Sequence, residues 1–95
     1  MRCLIVYDVS DDRRRRQVAK ALERSGVRVQ KSAFELDIDP SELRELLRTI
    51  ENRIARQTDR VVVVPLTARG LQQVRWLGAG PLESLPARKA DYWLV

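Results

Sequence analysis

The chain opens with Cys3-Leu4-Ile5-Val6-Tyr7-Asp8-Val9-Ser10-Asp11-Asp12, and the four arginines Arg13-Arg14-Arg15-Arg16 follow directly. The apolar run is rich in β-branched residues, which predicts a buried strand that ends near the carboxylate of Asp8. Side chains alternate along a strand, so Asp8 shares one face with Leu4 and Val6. The other face is also apolar and is formed by Cys3, Ile5, Tyr7 and Val9. A strand that is apolar on both faces is typical of the centre of a sheet.

The carboxylate of Asp8 stands beside a dense positive charge, and two interpretations are open. In the first, Asp8 caps the next helix or pairs with an arginine, which is a structural role. In the second, Asp8 is a metal ligand in a site that handles phosphates. The residues alone leave the two interpretations about equal.

Size and charge narrow the class of protein. The 95 residues predict one small domain, and Lys+Arg 18 against Asp+Glu 13 gives a formal charge of +5. This balance favours a polyanionic partner, which is nucleic acid or an acidic membrane surface. No stretch approaches the ~20 apolar residues of a membrane span, and no signal segment opens the chain. The one cysteine, Cys3, excludes a disulfide framework, so we expect a cytoplasmic protein.

The chain contains no histidine. Nucleophilic schemes that pair serine or cysteine with histidine are therefore excluded, as are histidine-ligated zinc and histidine general acid-base chemistry. Any chemistry must use carboxylates, cations, hydroxyls and a bound metal.

A first helix is predicted from about Asp11 to Ser25, with Ser10 or Asp11 as the cap and Gly26 as the stop. Arg15 points towards the inner side of this helix, where it can reach the end of the first strand. The core-facing side is formed by Val18, Ala19 and Leu22. A basic stripe on the outer side is formed by Arg13, Arg16, Lys20 and Arg24. The stripe is either a solvated helix face or a track for phosphates, and the net charge favours phosphates.

The next segment, residues 27–38, changes its alternation phase near Lys31-Ser32-Ala33. This predicts two strands joined by a tight turn, or one strand with a bulge. Arg28 flanks the first piece and offers a second basic contact. Phe34 is predicted in the core or an interface rather than as a platform for base stacking.

A second helix and a fourth strand complete the regular part. Asp39 caps the helix, Pro40 takes its first position, and an apolar stripe runs along Leu43, Leu46, Leu47, Ile50 and Ile54. The strand Arg60-Val61-Val62-Val63-Val64-Pro65-Leu66 is apolar on both faces. The order βαββαβ predicts an α+β sandwich, a four-stranded antiparallel sheet with two helices on one face. A second copy is the expected cover of the other face, which gives a homodimer with sheet stacked on sheet.

The sequence pattern after residue 66 is less regular. Residues 67–70 are predicted as a turn, residues 74–77 as a short strand that ends at Gly78, and residues 90–95 as a terminal strand. That last strand either adds to the edge of another chain or folds back on its own body. We therefore divide the chain into a domain at 1–78 and a C-terminal tail at 79–95 for dimer or partner contacts.

These pieces resemble one known family. The resemblance covers roughly residues 1–78 and rests on Tyr7-Asp8-Val9-Ser10-Asp11-Asp12-Arg13-Arg14-Arg15-Arg16-Gln17-Val18-Ala19-Lys20, on Arg28-Val29-Gln30-Lys31-Ser32-Ala33-Phe34-Glu35, on the Val-rich strand that ends Pro65-Leu66, and on residues 74–78. The chain resembles the CRISPR-associated endoribonuclease Cas2 family, the small subunit that accompanies the spacer-integrating nuclease Cas1.

The resemblance implies a ferredoxin-like fold, a homodimer, and a role in acquiring spacers for prokaryotic antiviral immunity. It also implies metal-dependent endonuclease activity on RNA or DNA, attributed to Asp8. By the same match, Tyr7, Arg15, Arg28 and Phe34 occupy positions that the family associates with activity or its support. The implied partners are the Cas1 integrase and a DNA duplex or RNA.

Elementary chemistry gives this resemblance a mechanism to test. Mg²⁺ takes one or two carboxylates plus waters and phosphate oxygens, so one ion shared by two Asp8 residues across the dimer is expected. Arg15 or Arg28 would hold the scissile phosphate. Contacts to the nucleic-acid backbone are expected from Arg13, Arg14, Arg16, Lys20 and Arg24.

Three functions stay open at this point. The first is a Mg²⁺-dependent endonuclease, and the second is a non-catalytic DNA-binding scaffold for the integrase. A toxin-like ribonuclease of the same fold is the third.

Overall fold

The computed structural model describes residues 1–75, 77 and 78. The elements in chain order are β1 (Arg2–Asp8), α1 (Asp12–Glu23), β2 (Gly26–Gln30), β3 (Ala33–Asp37), α2 (Pro40–Glu51), β4 (Arg60–Pro65) and α3 (Ala68–Gln72). The predicted terminal strand at residues 90–95, and the whole tail at 79–95, lie outside the described residues.

The four strands form one sheet in the order β2-β3-β1-β4. Every neighbouring pair is antiparallel, and β1 is central as its apolar pattern predicts. One buried cluster joins β1, β3, α1 and α2, so the two long helices cover the same face of the sheet. The predicted α+β sandwich with βαββαβ order is confirmed.

Alternation along β1 separates the two faces of the sheet. Cys3, Ile5 and Tyr7 are buried beneath the helices, together with Phe34 of β3. Helix α1 adds Val18, Ala19 and Leu22 to this core, as the sequence predicts. The exposed stripe of α1 also lies where it is predicted, on the side away from the core.

The phase change between β2 and β3 has two structural causes. The strands form a hairpin that turns at residues 31–32, and the register shifts between Arg28 and Gln30, which is a bulge. Gly26 does not end α1, because the helix finishes at Glu23 with Arg24 as its C-cap. A Cβ at Gly26 would lie 2.4 Å from the backbone oxygen of Glu35, so glycine is required there by the close approach of β3.

Three further predictions differ from the structure. Helix α2 ends at Glu51, so Ile54 packs against the core from the loop that follows. Residues 67–70 begin the short helix α3, whose cap Thr67 accepts a hydrogen bond from the Gly70 N–H at 3.0 Å. The short strand predicted at residues 74–77 is wrong, because the described residues of that segment pair with no strand. Val74 is instead bonded to the backbone of α3.

Among the residues described, no helix has the length and apolarity that crossing a membrane requires.

Candidate metal and nucleic-acid site

Asp8 ends β1 on the face of the sheet that α1 and α2 do not cover. It is exposed, and it stands opposite Arg60 in the pairing of β1 with β4. Within the described residues, its carboxylate makes no hydrogen bond or ion pair, so its oxygens are available to a ligand. The same face carries Leu4 and Val6 from β1 and exposed valines from β4. We call this surface the open face.

Tyr7 and Phe34 lie on the opposite face, within the core. Tyr7 is 2% exposed, and its hydroxyl donates a hydrogen bond to the backbone oxygen of Lys31 at 3.1 Å. The two rings are stacked, with centroids 6.3 Å apart. Burial raises the pKa of the Tyr7 phenol above its ordinary value, with Arg28 acting in the opposite direction. Both aromatic residues therefore tie the β2–β3 hairpin to β1.

Arg28 extends the aromatic pair to the surface. It stands opposite Phe34 in the pairing of β2 with β3, and its guanidinium carbon lies 5.2 Å from the centroid of that ring. Its Nη2 is 3.8 Å from a carboxylate oxygen of Glu23 on α1. Arg28 thus faces α1 rather than the open face that carries Asp8.

Arg15 reaches the end of β1, as the sequence predicts. Its Nη1 donates a hydrogen bond to the backbone oxygen of Val9 at 2.8 Å, and it pairs with Asp12 one turn earlier. The guanidinium is therefore fixed directly beside the residue that follows Asp8. Through this contact, Arg15 stabilises the backbone where the chain leaves β1.

Two adjoining grooves run between α1 and the β2–β3 hairpin. One has a volume of about 590 Å³ and the other about 410 Å³, and they share Arg16, Ala19 and Arg28. Six cations line them, namely Arg13, Arg15, Arg16, Lys20, Arg28 and Lys31. The basic surface predicted on α1 therefore continues onto the hairpin through Lys31, which the sequence analysis did not single out.

Arg14 lies apart from the other arginines. Its Nε donates to a carboxylate oxygen of Asp59 at 2.9 Å, and its Nη2 lies 3.4 Å from the other oxygen. The Asp59 side chain is completely buried. Hydrogen bonds, first from Arg14 and then from the Ala55 N–H, hold the pKa of this carboxyl well below its usual range. Nothing in the sequence pattern indicates this pair, because its members are 45 residues apart.

The structure divides the predicted catalytic residues between two surfaces. Tyr7, Arg15, Arg28 and Phe34 come together where α1 meets the hairpin, whereas Asp8 lies on the open face at the end of β1. Within the described residues, no group of three metal-binding side chains is close enough to hold an ion. An exposed carboxylate still fits Mg²⁺, which takes as few as one or two protein carboxylates along with water and phosphate oxygens.

Comparison with known proteins shows what this arrangement is similar to. Residues 1–74 match the family model described as CRISPR associated protein Cas2. A protein of Synechocystis sp. named CRISPR-associated endoribonuclease Cas2 3 is 37% identical over 83 residues, which is 87% of this chain and 90% of that protein.

Two solved structures give the same result for the fold. The crystal structure of Streptococcus pyogenes Cas2 at pH 6.5 has a TM-score of 0.72 and 31% identity, and the match covers 82% of this chain and all of that one. A chain of a structure named as a partial Cas6-RT-Cas1–Cas2 complex has a TM-score of 0.69 and 28% identity, over 92% of this chain and 95% of that one.

Proposed function

The chain belongs to the CRISPR-associated protein Cas2 family, and from this premise we propose that it is a dimeric, Mg²⁺-dependent endonuclease that binds nucleic acid in CRISPR adaptation. The single observation that supports the enzymatic part best is the exposed carboxylate of Asp8 at the rim of an apolar sheet face that α1 and α2 leave uncovered. A carboxylate there serves no packing purpose, and the chain places its basic helix directly after it.

The open face supports the homodimer. Val62 and Val64 are 52% and 40% exposed, and they lie beside Val6 and Leu4 of β1. Contiguous apolar surface of this kind marks an interaction site on a soluble domain. Two such faces can stack in the manner of a sheet sandwich, and a two-fold axis then places the same residues opposite each other. Asp8 of one copy and Asp8 of the other would stand at the rim of that interface.

In the proposed site, the two Asp8 carboxylates would hold one Mg²⁺. When bound, the ion would neutralise charge on the phosphate oxygens and lower the pKa of a bound water. Asp8 contributes its oxygens as ligands, and Arg15 keeps the strand exit in place through the Val9 carbonyl. The repulsion between two carboxylates favours the presence of a cation at neutral pH.

The basic surface of α1 holds the nucleic acid in this proposal. Arg13, Arg16, Lys20 and Arg24 are all exposed along the helix, and Arg28 and Lys31 continue the positive charge onto the hairpin. Contacts of this kind to phosphates position a nucleic acid without reading its sequence. Both RNA and DNA therefore fit the surface.

The test is cleavage of labelled single-stranded RNA and duplex DNA with Mg²⁺ and with chelator. Asp37 provides a matched control, since it is an exposed aspartate at the opposite end of the sheet. We expect Asp8→Asn to abolish Mg²⁺-dependent cleavage while duplex binding and dimerisation persist, and Asp37→Asn to keep all three. Cleavage that survives Asp8→Asn would contradict the enzymatic proposal.

A second candidate is a non-catalytic scaffold that holds duplex DNA for Cas1. The similarity to a chain from a structure that contains Cas1 and Cas2 favours it. Salt-sensitive duplex binding, with no cleavage by the wild type under any condition, would select the scaffold over the nuclease. RNA cleavage that is independent of Asp8 would select the toxin-like ribonuclease.

A further inference from the structure

The buried carboxylate of Asp59 ties together three parts of the chain beside the end of β1. One oxygen accepts hydrogen bonds from the backbone N–H of Ser10 at 3.2 Å and from its hydroxyl at 3.3 Å, and also from the hydroxyl of Thr58 at 3.1 Å. The other oxygen accepts from Arg14 Nε at 2.9 Å and from the Ala55 N–H at 2.8 Å. We call Asp59, Ser10, Arg14 and Ala55 the Asp59 clamp.

The clamp encloses the segment that carries Asp8 into α1. Ser10 lies two residues after Asp8, Arg14 lies in the first turns of α1, and Asp59 directly precedes Arg60, the residue that stands opposite Asp8. A single side chain therefore fixes the loop after β1, the start of the basic helix and the approach to β4. Displacement of Asp59 would move all three relative to the Asp8 carboxylate.

We propose that Asp59 is a positioning residue for the Asp8 site and that it withholds Arg14 from bound phosphates. The first half of this inference rests on the proposed function, because it assigns the clamp to the cleavage site. The second half rests on the clamp alone. If Arg14 turned to a phosphate, a buried carboxylate would lose its charged partner, which is strongly unfavourable. The phosphate contacts of α1 are then Arg13, Arg16, Lys20 and Arg24.

Salt dependence of duplex binding separates Arg14 from its neighbour Arg16. A plot of log affinity against log salt concentration has a negative slope. Each lost phosphate contact reduces the magnitude of this slope by about 0.9. With a mixed-sequence duplex of about 25 base pairs as the probe, we expect that loss for Arg16→Ala and a change below about 0.3 for Arg14→Ala. Asp59→Asn releases Arg14 and should increase the magnitude of the slope by up to about 0.9. The double variant Asp59→Asn/Arg14→Ala should return the magnitude to the wild-type value.

Cleavage kinetics test the positioning role. Asp59→Asn is expected to lower kcat at least about tenfold while KM stays equal or falls, because binding is kept and the reacting groups are misplaced. A purely structural defect would reduce the active fraction without this combination of tighter binding and slower turnover. The assay is run below the melting temperature of each variant, with folding checked by circular dichroism.

Either of two outcomes overturns the inference: Arg14→Ala lowers the salt slope as much as Arg16→Ala, or Asp59→Asn changes neither the slope nor kcat. A wild type that does not cleave refutes the enzymatic proposal and, with it, the positioning half, and the slopes still decide the role of Arg14. A wild type that binds neither the duplex nor the labelled single-stranded RNA refutes the proposed function itself. Hydrogen exchange of arginine Nε–H groups, measured by NMR, then tests whether Asp59 holds Arg14. Slow exchange at Arg14 that is lost in Asp59→Asn supports the inference, and exchange at Arg14 as fast as at Arg16 overturns it.

Discussion

The two faces of the sheet place adjacent residues of β1 in different environments. Tyr7 points into the core and its hydroxyl is bonded to the hairpin, whereas Asp8, the next residue, stands exposed on the open face. The helix-covered face holds the aromatic pair and the residues that brace the hairpin. The open face holds exposed valines and, among the described residues, the carboxylate of Asp8 without a hydrogen bond or ion pair. Because side chains alternate along a strand, one residue can stabilise the core while its neighbour in sequence is free to bind a ligand.

The largest difference between the faces should appear in their response to truncation. Phe34 is fully buried beneath α1, so Phe34→Ala should reduce the free energy of unfolding by about 4 kcal/mol. Val62→Ala, on the open face, should cost about 1 kcal/mol or less in the isolated chain. Urea unfolding at low protein concentration measures both. Equal losses at the two positions would contradict the division into a core face and an open face.

A charge on the open face should break the proposed dimer. Val62→Asp would bury an uncompensated carboxylate from each copy, so the dimer dissociation constant should rise at least about 100-fold, or about 3 kcal/mol. Thr49→Asp, at an exposed position of α2, is the matched control and should leave dimerisation unchanged. Sedimentation analysis over a range of concentrations gives both constants. If Val62→Asp dimerises like the wild type, the open face is not the interface.

Acid should weaken the Asp59 clamp. The pKa of Asp59 is lower in the folded protein than its ordinary value of 3.8, so the unfolded chain binds more protons below about pH 4. Stability from this group is complete above that pH and falls as the pH drops towards the folded pKa. One such group contributes at most about 1.4 kcal/mol per pH unit. Asp59→Asn should flatten the dependence of unfolding on pH between about 4 and 2. An unchanged slope would contradict the clamp.

The smallest effect concerns the pair of neighbours on β1. Tyr7→Phe removes the hydroxyl that bonds to the Lys31 carbonyl and should cost about 1 kcal/mol. Asp8→Asn should change the free energy of unfolding by less than about 0.5 kcal/mol, because its side chain has no partner in the described part of the chain. Thermal unfolding compares the two variants under one condition. A greater loss for Asp8→Asn than for Tyr7→Phe would give Asp8 a structural role.

Much of the fold follows from local patterns, and the exceptions have physical causes. The apolar run of β1, the cap at Asp11 and the apolar stripe of α2 each depend on residues close in sequence, so the presence and type of these elements are predicted correctly, although both helices end earlier than predicted. Gly26 is misread as a helix stop because the contact that requires glycine is with the distant strand β3. Residues 74–77 are misread as a strand because alternation over so few residues cannot show whether a partner strand exists.

The site is less predictable than the fold. The sequence places Asp8 at the end of a strand and Arg15 beside it, and both positions agree with the structure. Alternation along β1 places Tyr7 on the face opposite Asp8, but the sequence cannot show that Phe34 and Arg28 join Tyr7 there, since that depends on the register of the hairpin. The Asp59 clamp was missed for a similar reason. Asp59 follows Thr58 in an ordinary loop, and only the tertiary fold brings it to Arg14 and Ser10.

The most direct test of the central claim is the metal stoichiometry of the dimer. Titration with Mn²⁺, a spectroscopic substitute for Mg²⁺, should show one tightly bound ion for every two chains. Asp8→Asn should abolish this binding, and Asp37→Asn should retain it. This result is predicted if two Asp8 carboxylates share one ion across the open face. One ion in each chain, or binding that is unaffected by Asp8→Asn, would contradict the account.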